Sequence, residues 1–341
     1  MTKMLRLFQI TLLLLCAAPV VAAKDAPVNK PEPAIELGTP FVDNAILQRQ
    51  MKVPVWGWSK SGVKVTVEFA GQKKAAVAGK DGKWMLQLDK LKANATAAEM
   101  IIIDSAGKKV VLKNILVGEV WMASGQSNMQ WPASKCVVGR KLIPEILARV
   151  KDGKEKMPII REGKVTNVFS SLYPTEHALG AWSSNWQDFS AISFAFAYDL
   201  AKELKIPIGI VNCAFSTTQI QAWVPREGFA DAKDEYTQAI YKRIIESDLQ
   251  APEHKKAWDA YYQVLRDWGK ECAQRVKKKL PVTRPPSAPG KLRGNRDISW
   301  MYNGKIHPMV PYAIRGGIWN QGYANQNEGV FYRNNLRSLV R

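Results

Sequence analysis

The stretch Val117-Gly118-Glu119-Val120-Trp121-Met122-Ala123-Ser124-Gly125-Gln126-Ser127-Asn128-Met129-Gln130-Trp131-Pro132 decides how the rest of the chain is read. A mostly apolar run enters a Ser-Gly-Gln-Ser-Asn turn, the pattern of a buried strand that delivers a serine to a tight bend. A serine hydroxyl is a poor nucleophile until a base takes its proton and donors await the oxyanion. One way to present it is the elbow G-x-S-x-G, but Met129 stands where the second glycine belongs, which disfavours that fold.

Upstream, the pattern is all-β. V-P-V-W-G-W from Val53 is followed by V-K-V-T-V-E-F-A, which alternates with period two. G-K-D-G-K-W-M-L-Q-L from Gly79 reads as a hairpin, and M-I-I-I-D-S-A-G-K-K-V-V-L from Met100 as two more strands about a turn. Residues 36–114 are therefore expected to form a small β-sandwich-like region with a supporting role. Ahead of it, residues 24–35 are rich in Ala, Pro and Lys and read as a linker. Lys3 and Arg6, an apolar run and the small residues Val21-Ala22-Ala23 give residues 1–23 the form of a secretory signal peptide. The expectation is an exported protein, periplasmic or secreted, without an integral membrane span.

Downstream, the grammar becomes α/β. F-S-A-I-S-F-A-F-A-Y-D-L-A-K-E-L from Phe189 has helical apolar spacing and runs into the short apolar strand I-P-I-G-I-V-N-C-A-F. Residues 226–279 read as helical, with Tyr236, Tyr241, Trp258, Tyr261, Tyr262 and Trp268 as a packed aromatic face. P-Y-A-I-R-G-G-I-W-N-Q-G-Y-A-N from Pro311 reads as a further strand ending in a polar loop. Three strands thus end in polar tips, near Ser127, Ser216-Thr217-Thr218 and Asn325. Open parallel sheets bind ligands outside the carboxyl ends of their strands, so these tips are candidates for one rim.

Across 341 residues the formal net charge is +19. The lysines are scattered singly and in pairs, which argues against nucleic acid and suits solubility or attraction to an anionic polymer such as an acidic polysaccharide. Cys136, Cys213 and Cys272 remain after the leader; their spacing matches no metal motif and leaves their pairing open. No metal or organic cofactor is expected.

G-E-V-W-M-A-S-G-Q-S-N-M-Q-W-P closely resembles the nucleophile block of the sialate O-acetylesterase family, a branch of the SGNH hydrolases. The segments around Gly180–Asn212, Thr218–Pro225 and Met301–Gly322 resemble later family segments in the same order. The resemblance covers about residues 39–333. It implies an α/β fold with a flavodoxin-like parallel sheet and helices on both faces over residues 115–341, with a helical insertion at about 226–298. It implies removal of O-acetyl groups from sugars through an acetyl-enzyme, without a cofactor. Ser127 then matches the nucleophile, and its own N–H is one oxyanion donor. Asn325 matches the side-chain donor, Thr217 falls at the backbone donor, and Gln126 and Gln321 fall at substrate-binding positions.

The chain also departs from the family pattern. Ser216-Thr217 replaces a glycine pair, Tyr323-Ala324 replaces an acid and a hydroxyl, and Gln221 stands where an acid is usual. The family carries its base in a C-terminal Asp-x-x-His element, and none of the three histidines here lies three residues after an aspartate. His307 reads as structural, His177 as a surface residue and His254 as a solvated helix residue. The expectation is a domain incomplete at its C-terminus, with its catalytic acid and base unassigned. The alternative reading is an impaired homologue that at most binds glycans.

Overall fold

The computed structural model describes residues 35–168, 170–230, 232–246, 248, 251–289 and 297–340. The expected signal peptide and all but the last residue of the expected linker lie outside the described residues.

The chain opens with strands β1 (Glu36–Leu37), β2 (Ile46–Gln48), β3 (Val53–Trp58), β4 (Lys64–Phe69), β5 (Gln72–Val77), β6 (Lys83–Leu88), β7 (Asn94–Asp104) and β8 (Lys109–Gly125). β1, β3 and β6 form one small sheet, while β5, β4, β7 and the first half of β8 run side by side in another. Val55, Trp84 and Leu88 from the first meet Val65, Val67 and Ile102 from the second in one buried cluster. Alternation decides this: in β4, Val65, Val67 and Phe69 are buried and the residues between them are not. The expected hairpin at Gly79 is corrected by the pairing, because β5 pairs with β4 whereas β6 pairs with β3. β5 buries none of its residues, while β6 carries Trp84, Leu86 and Leu88 inward, so the turn hands the chain from one sheet to the other.

β8 is long enough to serve two sheet regions. Its first half pairs antiparallel with β7. Its second half enters a parallel sheet formed with elements that follow: α1 (Ser127–Gln130), α2 (Ile143–Lys151), β9 (Ile160–Val165), β10 (Gly180–Ser183), α3 (Ala191–Leu204) and β11 (Ile208–Asn212). Then come α4 (Arg226–Ala230), α5 (Glu235–Glu246), α6 (Pro252–Lys277), β12 (Gly316–Asn320) and α7 (Val330–Val340). β11 lies parallel between β9 and β8, β12 lies parallel on the other side of β8, and β10 is antiparallel at the outer edge of β9.

Both faces of this sheet are covered, and β11 and the second half of β8 are accordingly mostly apolar, whereas β9 carries Arg161, Glu162 and Lys164. Ala123, Ile208 and Ile210 pack with Ile143, Phe194 and Ala197 on one face. Val120 and Val211 join Trp223, Met301 and Met309 on the other. α3 starts at Ser190, whose hydroxyl accepts the Ser193 N–H at 3.2 Å, an N-cap that satisfies an otherwise orphaned donor. The helical stretch read as 226–279 is divided into α4, α5 and α6. Its rings do pack: Tyr236 stacks on Phe331 of α7 at 4.2 Å, and Trp258 meets Tyr261 and Tyr262 at 5.5 and 5.6 Å.

Candidate active site

β8 pairs parallel with β2 near its middle, and its carboxyl half lies between the parallel strands β11 and β12, whose connections leave it to either side. That is a topological switch point, and ligands bind outside the carboxyl ends of strands there. Ser127 stands just past the end of β8, as the first residue of α1. Its backbone N–H is one of the first four of the helix, which have no intrahelical acceptor.

Gly125 makes this approach possible. It adopts φ +135°, and a Cβ there would collide with the Asn320 carbonyl of β12. Glycine alone lets β8 pass so close to β12 while turning toward Ser127.

The three polar tips meet. The Gly125 carbonyl accepts the Phe215 N–H at 2.9 Å, and the Gln126 N–H donates to the Asn320 carbonyl at 3.1 Å. Gln126 Oε1 accepts from Gln321 Nε2 at 3.3 Å and from the Ala324 N–H at 3.2 Å. Gln321 also donates to the Thr218 carbonyl at 3.2 Å. Gln126 and Gln321 are thus engaged with each other, and together they lace the three loops into one rim.

Asn325 is buried at 4% exposure. Its Oδ1 accepts the Ile220 N–H at 3.0 Å, and its Nδ2 donates to Gln221 Oε1 at 3.0 Å. Gln221 in turn donates to Glu328 at 3.1 and 3.2 Å and to the Tyr236 hydroxyl at 3.2 Å. One hydrogen of the Asn325 amide is therefore committed to the protein.

Thr217 is exposed and sits at φ +62°, the left-handed region that a β-branched residue rarely enters. The backbone keeps a conformation suited to glycine although the side chain is threonine. Its Oγ1 donates to the Ser216 carbonyl at 2.7 Å. The Thr217 N–H keeps no acceptor among the described residues, whereas the Ser216 N–H donates to Gln130 Oε1 at 2.7 Å. Of the Ser216-Thr217 pair, Thr217 is thus the one with a donor to spare. Reading the sequence missed Gln130; its signal was a spacing of three from Ser127, which places both on one short helical turn.

The rim is anchored from below by Glu119, whose side chain is 4% exposed. It accepts from Gln48 at 2.9 Å, from Arg49 at 2.8 Å and from Arg315 at 2.9 and 3.1 Å. Burial pushes its carboxyl up, but the hydrogen bonds from Arg315, Gln48 and Arg49 outweigh this and hold it below the ordinary range. The cluster joins β2, β8 and the entry to β12, fixing the strand that leads to Asn325.

Among the described residues, no histidine is bonded to Ser127. His307 Nδ1 lies 3.1 Å from the Thr175 carbonyl, and His177 stacks on Trp58 at 4.0 Å with Nδ1 2.8 Å from Glu36. His254 sits on α6. Cys136, Cys213 and Cys272 are all free, and burial pushes the Cys213 thiol up to about 12, which makes it unreactive. Among the described residues there is no group of three His, Cys, Asp or Glu side chains able to hold a metal, and no helix long and apolar enough to cross a membrane.

No family model matches the chain. Sialate O-acetylesterase of Mus musculus is 25% identical over 305 residues, covering 84% of this chain and 51% of the relative. The Homo sapiens protein of the same name is 22% identical over 287 residues, covering 80% and 45% respectively. The chain therefore spans about half the length of the curated relatives it matches. Among solved structures, a carbohydrate acetylesterase from Xanthomonas citri matches with a TM-score of 0.64 and 24% identity over 90% of this chain and 56% of its own. That likeness establishes the fold, an α/β sheet preceded by a β-rich region. With matched sequence over most of its length and the serine-bearing strand at the switch point of that fold, the chain is similar to the sialate O-acetylesterases and shares the fold of a carbohydrate acetylesterase.

Proposed function

We propose that this chain is a carbohydrate O-acetylesterase of the sialate type with Ser127 as nucleophile. The observation that carries the reading is the convergence of three loops, from β8, β11 and β12, around a serine at a helix N-terminus. Ser127 Oγ bonds to the acetyl carbonyl carbon and its proton passes to a base. The ester C–O bond then breaks, the sugar leaves as an alcohol, and water releases acetate from the acetyl-serine. The N–H groups of Ser127 and Thr217 and the remaining Asn325 amide hydrogen are the donors offered to the oxyanion. The reading assigns no residue as base. O-acetylated sugars are the substrate class, and the basic surface favours acidic saccharides. The leader-like pattern of residues 1–23 supports an exported protein.

A second reading, a glycan-binding relative without turnover, is favoured by one observation. Neither a histidine nor a carboxylate bonds to Ser127 among the described residues.

Hydrolysis of an activated acetate ester and of an O-acetylated sugar, compared with the Ser127→Ala variant, separates the two. Turnover that vanishes in the variant supports the esterase. Equal background rates in two folded proteins leave the binding reading.

A further inference from the structure

Arg161, the second residue of β9, is 8% exposed and has no carboxylate partner among the described residues. Its Nη1 donates to the main-chain carbonyls of Asn44 and Asn114, each at 2.7 Å, and its Nη2 donates to Asn114 Oδ1 at 2.9 Å. All three acceptors are neutral. A guanidinium has five N–H donors, so the Nε–H and one Nη2–H keep no acceptor among the described residues. Burial works against the charge and lowers the pKa of Arg161 from its usual value. Burying a cation without a counter-charge is costly, and a purely structural tie between two loops needs no charge at all.

Arg161 lines a cavity of about 520 Å³, whose walls include Trp182, Trp186, Asn185, Gln187 and Leu147. Arg161 is the sole charged residue among those lining it. The volume falls in the range of small-molecule sites. Indole rings suit the C–H faces of a sugar, and side-chain amides suit its hydroxyls. A two-donor guanidinium edge matches the two oxygens of a carboxylate.

The cavity stands apart from Ser127. Arg161 pairs in register with Gly209, and Gly209 with Val120, at the amino end of the parallel strands. From Val120 to Ser127 is about 20 Å at the rise of a strand.

We propose that this cavity binds the carboxylate-bearing unit of an acidic saccharide, with Arg161 as the anion anchor. The site holds whether or not Ser127 is catalytic. The net charge of +19 draws acidic chains toward the protein from a distance, and the cavity supplies a specific seat for one unit.

The test is binding of glucuronate, glucose and acetate to the full chain at low salt, followed by calorimetry or by ligand-observed NMR. Glucuronate is expected to bind at least about tenfold more tightly than glucose or acetate. Leu147 is 44% exposed, so Leu147→Trp should fold normally, block the cavity and weaken glucuronate binding by about tenfold or more. Arg161→Gln should erase the preference for the acid over glucose. If that variant fails to fold, Leu147→Trp decides. Ser127→Ala should leave glucuronate binding unchanged, which separates this site from the esterase reading. Equal affinity for glucuronate and glucose would overturn the proposal, as would unchanged binding in Leu147→Trp. Acetate binding as tightly as glucuronate would overturn the saccharide assignment.

Discussion

Asn325 Nδ2 donates to Gln221 Oε1 at 3.0 Å, and Gln221 Nε2 passes the chain of bonds on to the Glu328 carboxylate. Gln221 is thus an amide that is acceptor to Asn325 and donor to Glu328. An acid at this position should be unfavourable. Gln221→Glu sets two carboxylates side by side and should lower stability by about 1–3 kcal/mol at neutral pH. The double variant with Glu328→Gln should recover most of the loss in urea unfolding.

Asn325→Ala removes a donor that the proposed reaction offers to the oxyanion and also the acceptor of the buried Ile220 N–H. Acetate-ester turnover should fall by about 10²–10³-fold. Stability should fall by about 1–3 kcal/mol, because the Ile220 N–H is left unpaired. Gln221→Ala keeps both bonds that Asn325 Oδ1 accepts, from the Ile220 N–H and from Gln321 Nε2, and should retain most of the turnover, as steady-state rates would show.

Thr217 occupies the left-handed region at φ +62°. Holding a β-branched residue there costs on the order of 1–3 kcal/mol. Glycine removes that strain but adds roughly 0.5–1 kcal/mol of unfolded-state entropy. Thr217→Gly should therefore stabilise the protein by about 1 kcal/mol in denaturant titration. A clear loss of stability would contradict the backbone conformation described.

Gly125→Ala should be among the most damaging single changes, at about 3 kcal/mol or more, because strain at φ +135° adds to a clash with backbone. Gly153 is the control: it has φ +70° and open space around its Cβ position, so Gly153→Ala should cost only about 1–2 kcal/mol. Thermal unfolding of the pair separates conformational strain from collision.

Glu119 gives a pH signature. Its carboxyl titrates lower folded than its ordinary value of 4.5, so the unfolded chain binds more protons between the two values. The stability it contributes is fully present above pH 4.5 and lost as pH falls through the lowered value. Glu119→Gln should cost about 2–4 kcal/mol at pH 7, less than for a fully buried pair because Arg49 and Arg315 reach solvent. The difference from the wild type should shrink on acidification below pH 4.5.

The sequence by itself determined the β-rich region, the change to α/β near Val117, the serine at a strand end and the three polar tips. Each is encoded locally, by period-two alternation, by helical spacing into an apolar strand, or by a Gly-Ser turn. Its local reading failed at Gly79, where turn residues look alike whether the chain returns to its neighbour or crosses to another sheet. Only the tertiary structure decided that β5 and β6 part company, that Gln130 takes the Ser216 N–H, and that Gln221 is wedged between Asn325 and Glu328. It alone brings Asn44, Asn114 and Arg161 together around a buried charge. The reason is physical: pairing and burial of polar groups depend on partners dozens to hundreds of residues away, whose meeting is set by strand order and crossover and not by neighbouring sequence.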